Sequence, residues 1–221
     1  MAVAFVTGGT GYIGRPLIVR LLAAGHRVHA LTRPQSASRL PAGANAVIGD
    51  ALDAASYREC IPRGATFMHL IGTPHPSPAK AAEFRRVDLV SIQSAIAAAC
   101  GAGVAHFVYV SVAHPAPVMQ AYIAVRSAGE ALLEASGLPA TVLRPWYVLG
   151  PGHRWPYVLL PVYTLLRLHP ATRASAMRLG LVTLEDMLRS LEAALLHPPS
   201  AGVRVIDVPA MLAARQARRV G

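Results

Sequence analysis

Four glycines fall within the eight residues Thr7-Gly8-Gly9-Thr10-Gly11-Tyr12-Ile13-Gly14. From Gly9 the stretch fits G-x-G-x-x-G, and from Gly8 it fits G-x-x-G-x-x-G. Two readings are open: a tight turn that only glycine makes, or a backbone that must lie close to a ligand. The flanks bear on the choice. An apolar, strand-like AVAFVT precedes the loop, and RPLIVRLLAAGH, with a stripe at Leu17, Ile18, Leu21 and Leu22, follows it as a helix. A strand-to-helix turn built on glycines lets the backbone approach a pyrophosphate, and the helix N-terminus offers that anion unsatisfied N–H groups. The loop therefore reads as a dinucleotide cradle.

A second group of residues bears on which dinucleotide. The second strand, RVHALTR, ends on Arg33, where an NAD site usually carries an acid for the ribose 2′-hydroxyl. Arginine can instead pair a 2′-phosphate in two-pronged fashion, and Arg39 follows nearby. The reading is NADP over NAD; the alternative is a solvated loop arginine in an arginine-rich chain. Asp50 closes the third strand, where its side chain could meet the adenine amine.

Other chemistries lack their patterns. There is no G-x-S-x-G elbow, and the nine histidines form no H-E-x-x-H. The two cysteines, Cys60 and Cys100, have no metal-ligand spacing and read as reduced structural thiols. No metal site is expected. The aromatics Trp146, Tyr147, His153, Trp155 and Tyr157 follow the sixth strand, beyond whose carboxyl end ligands bind in open α/β sheets. They read either as walls of an apolar substrate pocket or as packing of a cap on the sheet.

These residues need a scaffold, and the chain alternates strand-like and helical runs to supply one. After the second strand come NAVIGD, ATFMHLIG, a helical stretch over 79–100, HFVYVSV, a helix over about 118–136, and PATVLRP. That rhythm predicts α/β architecture: a doubly wound parallel sheet, a Rossmann fold, with helices on both faces. After Pro145 the rhythm changes. A strand-like MRLGLVT, a helix EDMLRSLEAALLH and a last strand VRVIDV follow an aromatic, proline-rich run. The expected organisation is a dinucleotide-binding core over 1–145. A small substrate cap over 146–221 would return its last elements to that core, making one structural domain overall.

Composition bounds the rest. With 221 residues, 53% of them apolar, the chain can bury a large core and is not disordered. The net charge is +10, carried by 21 basic against 11 acidic residues, with Lys80 the single lysine. The arginines are scattered and no helix-turn-helix, finger or RNP-like pattern appears, so nucleic acid is not the expected partner. The longest charge-free apolar run, 155–166, is shorter than the about 20 residues a bilayer span needs. The chain starts directly on a strand with no basic leader, which reads as a cytoplasmic protein.

With T-G-G-T-G-Y-I-G, L-T-R-P, G-D-A-L-D, S-V and Y-I-A-V-R in this order, the chain resembles the short-chain dehydrogenase/reductase superfamily. It looks closest to the atypical and extended branches, the epimerase/dehydratase-like and NmrA-like proteins. The resemblance implies a cofactor site of Gly8, Thr10, Gly11, Tyr12, Ile13, Gly14, Arg33, Asp50 and Ala51. It adds the residues closing the fourth and sixth strands, Leu70, Ile71, Gly72 and Pro145. It also implies a serine, and a tyrosine four residues before a lysine. Ser111 matches the serine and Tyr122 the tyrosine, whereas Arg126 stands where the family has lysine. In such enzymes the tyrosine hydroxyl gives or takes the substrate proton, aided by the cation, and the serine holds the carbonyl oxygen. Residues four apart share a helix face, so Tyr122 and Arg126 can both face the cofactor.

Three readings follow. The first is an NADP-dependent oxidoreductase moving hydride between nicotinamide and a small carbonyl or sugar-like substrate. The second is a non-catalytic NAD(P)-binding protein, a redox sensor or an accessory subunit. The third is a basic surface-binding protein whose glycine loop is only structural. The resemblance leaves open a homodimer through the two long central helices or membership of a larger complex.

Overall fold

The structure, a computed structural model, describes residues 1–151 and 170–217. Runs of β-branched and aromatic residues make its strands. In chain order these are β1 (Val3–Thr7), β2 (Arg27–Thr32), β3 (Asn45–Ile48), β4 (Thr66–His69), β5 (His106–Val110) and β6 (Ala140–Arg144). Then come β7 (Tyr147–Leu149), β8 (Leu181–Thr183) and β9 (Val203–Asp207). Seven strands form one sheet in the order β3-β2-β1-β4-β5-β6-β9, and every neighbouring pair is parallel. This is a Rossmann-type α/β fold. The strand order reverses between β1 and β4, so the loops there splay apart and open a crevice at the carboxyl ends.

Alternation along each strand sends side chains to two cores. On one face Ala4, Val6, Met68 and Val108 meet α1 (Gly14–Ala23) through Leu17, Ile18 and Leu21. On the other, Phe5, Phe67 and Phe107 lie in one register row, their ring centroids 5.2 and 5.0 Å apart. They meet Ile92, Ala95, Ala98 and Ala99 of α3 (Val90–Ala102). Such rows of buried aromatics contribute most of their stability by area removed from water.

The helical stretch expected over 79–100 is not one regular helix. A short α2 (Ala81–Glu83) runs through a π-helical turn, Phe84–Leu89, before α3 begins. Phe84 and Asp88 are both buried in that turn. Inserting residues this way re-aims side chains inward, and π turns recur at functional sites for that reason. The helix expected over 118–136 is α4 (Gln120–Ala135).

The C-terminal part also differs from expectation in detail. Tyr147–Leu149 is a strand, β7, paired in parallel with β8. Met177 and Arg178 belong to α5 (Pro170–Arg178), not to the strand predicted there. Thr183 and Asp186 form a reciprocal capping box that starts α6 (Leu184–Leu196). Arg20 of α1 ties α6 down through Glu185 at 2.9 Å and Glu192 at 2.7 Å. VRVID is β9, and Asp207, accepting from the Ala210 N–H at 3.0 Å, turns the chain into α7 (Val208–Ala217). Cys60 and Cys100 form no disulfide, and both are exposed. Among the described residues no helix is long and apolar enough to cross a membrane; the 155–166 run lies outside them.

Candidate functional site

The glycine loop caps the carboxyl end of β1 and forms one wall of an open groove of about 380 Å³. Gly8 has φ +78°, and a Cβ there would stand 3.0 Å from the Leu70 carbonyl carbon. A Cβ on Gly14 would run into the Gly8 carbonyl oxygen. Both positions exclude side chains so that loop, helix and β4 can close on one another. Of the residues assigned from the sequence to the cofactor, Gly8, Thr10, Gly11, Arg33, Asp50, Ala51, Leu70, Ile71 and Gly72 line this groove. Leu31, Thr32, Ser36, Gly49, Leu52 and Val87 line it too and were not singled out.

Arg33 is exposed at the end of β2, just before a 3₁₀ turn over Pro34–Arg39. Beside it, Arg39 donates to the Ser36 hydroxyl at 2.9 Å. Asp50 spends one carboxylate oxygen on the Leu52 N–H at 3.0 Å, which fixes the turn after β3. The glycine cradle, the carboxyl-end position and the exposed arginine suit an elongated anion such as a dinucleotide.

A second cavity, also about 380 Å³, lies at the ends of β5 and β6. Tyr12, Ile13 and Pro145, assigned from the sequence to the cofactor, line this cavity together with Ser111, Tyr122, Trp146 and Tyr147. His153 and Trp155, expected in the substrate pocket, lie outside the described residues. β4 and β5 are neighbours, so Gly72 of the groove and Ser111 of the cavity follow adjacent strands. Phe84 of the π turn meets Tyr122 edge-on, ring centroids 5.0 Å apart.

Arg126 shares the α4 face with Tyr122, but its guanidinium is turned under the site. It is 2% exposed. One terminal nitrogen donates to the Ile71 and Val110 carbonyls, both at 3.1 Å. The other donates to Ile71 O at 3.1 Å and to Asp88 Oδ1 at 2.6 Å. Its carbon stands 5.1 Å from the Tyr122 ring centroid and 5.7 Å from that of Tyr109, a cation–π sandwich. Burial by itself would pull its pKa down; Tyr122, Tyr109 and Asp88 outweigh that and hold it above the ordinary value. Asp88 also accepts from the Thr73 N–H and hydroxyl. One buried ion pair thus joins the loop after β4, the end of β5, the π turn and α4.

Ser111, 3% exposed, donates its hydroxyl proton to Glu130. Glu130 in turn holds the Arg144 guanidinium, whose Nε donates to the two carboxylate oxygens at 3.1 and 3.2 Å. His114 Nε2 is 3.5 Å from the same carboxylate. Neither Glu130 nor Asp88 was identified from the sequence. Glu130 lies two turns beyond Tyr122 on the same helix, a spacing that could have flagged it; Asp88 carries no comparable signal.

Fold and groove together define a dinucleotide-binding protein of the Rossmann class. The model of the NAD(P)H-binding family matches residues 8–161, and the chain belongs to that family. A nicotinamide dinucleotide is therefore its cofactor class.

Among curated proteins it is 29% identical over 168 residues to the 4-hydroxy-2-methyl-3-oxo-4-farnesyl-3,4-dihydroquinoline-1-oxide ketoreductase of Stigmatella aurantiaca. That match covers 66% of this chain and 50% of the relative. It is 35% identical over 158 residues to the chloroplastic divinyl chlorophyllide a 8-vinyl-reductase of Oryza sativa subsp. indica, covering 63% of this chain and 38% of that one. The chain thus spans half or less of the length of these two relatives. Among solved structures, the Bordetella bronchiseptica enzyme WbmH in complex with NAD+ superposes with a TM-score of 0.69. The two share 21% identity over 94% of this chain and 75% of that one, a likeness of fold.

Proposed function

We propose that the protein is an NADP-dependent oxidoreductase acting on a small carbonyl compound or the corresponding alcohol. The observation that carries the reading is the neighbourhood of two sites: a glycine-walled groove and a separate cavity lined by Tyr122 and Ser111 include the residues that follow the adjacent strands β4 and β5. The names of the two curated relatives, both reductases, point the same way. NADP is favoured because the end of β2 offers Arg33, with Ser36 and Arg39 beside it, and no carboxylate.

Gly8, Thr10, Gly11, Arg33 and the β4 end would hold the dinucleotide. When bound, it supplies or accepts the hydride. The chain's own part is acid–base and positional. Tyr122 carries the hydroxyl that gives a proton to a carbonyl oxygen or takes it from an alcohol. Arg126 acts as a positioning residue: its cation stacks on the Tyr122 ring while its donors hold the two strand ends in register.

Thermal-shift measurements with NADPH, NADP, NADH and NAD test the premise. A dinucleotide at about a hundred times its Kd adds about 2.7 kcal/mol of stability. No shift with any of the four would refute the reading. A second reading, a dinucleotide-binding protein without turnover, is favoured by one observation: the cation after Tyr122 is locked in an ion pair. NADPH binding without oxidation across a panel of aldehydes, ketones and quinones would select it.

A further inference from the structure

Among the described residues, two non-glycine positions have a positive φ: His75 at +48° and Met119 at +60°. They follow different strands, β4 and β5, and both line the cavity beside Tyr122. His75 also precedes Pro76, a position that favours extended backbone. A side chain held in the left-handed region costs free energy, and such positions persist only where the surroundings over-determine them. Here they do. Thr73, two residues earlier, is buried and gives its N–H and hydroxyl to Asp88. Lys80 donates to the Pro74 carbonyl at 2.6 Å. Pro74, Pro76 and Pro78 remove further freedom. The exposed loop between these anchors sets His75 against the cavity.

Ser111, in the same cavity, is placed differently. Its hydroxyl has one proton, and that proton goes to Glu130. Glu130 also accepts from the Arg144 Nε with each of its carboxylate oxygens, at 3.1 and 3.2 Å, which holds it in place. A carboxylate is a stronger acceptor than a carbonyl oxygen. Ser111 therefore keeps its donor turned away from a carbonyl in the cavity. His75 can supply what the serine withholds, because an imidazole, neutral or charged, carries at least one ring N–H.

We propose that His75 is a catalytic residue: its ring N–H donates to the carbonyl oxygen that Tyr122 protonates, in the role that the resemblance assigns to Ser111. The inference rests on the reading of this cavity as the site of carbonyl reduction. The proton that reaches the oxygen is that of Tyr122. The His75 proton stays on the ring and steadies the charge that develops on the oxygen.

Calorimetry on the full chain saturated with NADP+ tests it, with acetophenone and cyclohexanone as probes; the oxidised cofactor permits binding without turnover. His75→Leu should weaken ketone binding about tenfold, the loss of one hydrogen bond. It should lower the kcat of NADPH-dependent reduction about a hundredfold. His75→Gln keeps an N–H donor and should recover most of both, a rescue that a merely structural role would not give. Ser111→Ala should cost less than His75→Leu on both counts. Unchanged NADP+ affinity shows that the fold is intact in each variant.

Equal ketone binding in the wild type and His75→Leu overturns the inference. So does a larger loss in Ser111→Ala, or binding of neither ketone to the wild type. If the wild type binds the ketones and His75→Leu weakens them, but no NADPH is oxidised, the oxidoreductase reading fails and the hydrogen bond from His75 stands.

Discussion

The cofactor groove and the aromatic cavity have the same volume, about 380 Å³, and open at the carboxyl ends of the same sheet. Their walls differ. The groove is walled by the glycine loop and the strand ends, and carries Asp50 and an exposed cation, Arg33, that has no ion-pair partner among the described residues. The cavity is made of aromatic and aliphatic side chains, and the cations behind it are neutralised. The groove is suited to charge delivered from outside. Behind the cavity, Asp88 offsets the Arg126 charge and Glu130 that of Arg144. Loop geometry over eight consecutive residues accounts for much of the first, whereas contacts across 16 to 55 residues of chain hold Arg126 behind the second.

The largest test removes that cancellation. Asp88→Ala leaves Arg126 buried without its carboxylate, and stability should fall by about 3–5 kcal/mol in urea unfolding. A loss under about 1 kcal/mol would mean that the pair does not organise the site. Next, Tyr122→Phe should lower the turnover of a ketone substrate by about a hundredfold or more with NADPH affinity unchanged. An unaltered rate would confine the protein to binding.

The third test lies at the boundary between the regions. His69 is fully buried, its Nδ1 2.9 Å from the Thr7 hydroxyl and its Nε2 3.4 Å from that of Ser91. Burial, with the Arg126 charge beside it, pushes its pKa down to about 3. Burial and Arg204 likewise take His106 to about 4. In the unfolded chain both titrate near the ordinary value of about 6.5. As pH falls below that value the unfolded state takes up protons that the folded state refuses. Each histidine then costs up to roughly 1.4 kcal/mol per pH unit until its folded pKa is reached; above about 6.5 neither contributes. Unfolding measured from pH 7 to 4 should show this loss, with a shallower slope in His69→Asn. An unchanged slope would show that His69 takes up its proton as readily folded as unfolded.

The smallest effect belongs to the groove. Arg33→Ala should weaken NADPH about tenfold, the value of one charged hydrogen bond, and leave NADH nearly untouched. Equal losses would remove the 2′-phosphate role.

How far the sequence could be read differs between the regions for a physical reason. The α/β alternation, the glycine loop and the groove residues at the ends of β2, β3 and β4 were legible because strand and helix periodicity and turn chemistry are local. The π turn at Phe84–Leu89 and the β7–β8 pairing were not. Both depend on what the segment packs against. The placement of Tyr12 and Ile13 against the cavity was likewise hidden, since a motif orders residues along the chain and not around a sheet.

The sequence by itself therefore determined the class of this protein: a parallel sheet with a glycine turn at the first strand end, where helix and strand geometry leave little freedom. Only the tertiary structure decided what Arg126 does. From its spacing after Tyr122 it could face a cofactor or solvent. The packing of α4 on the strand ends buries it beside Asp88, because a guanidinium withdrawn from water must find a carboxylate and carbonyls, and the fold supplies both there.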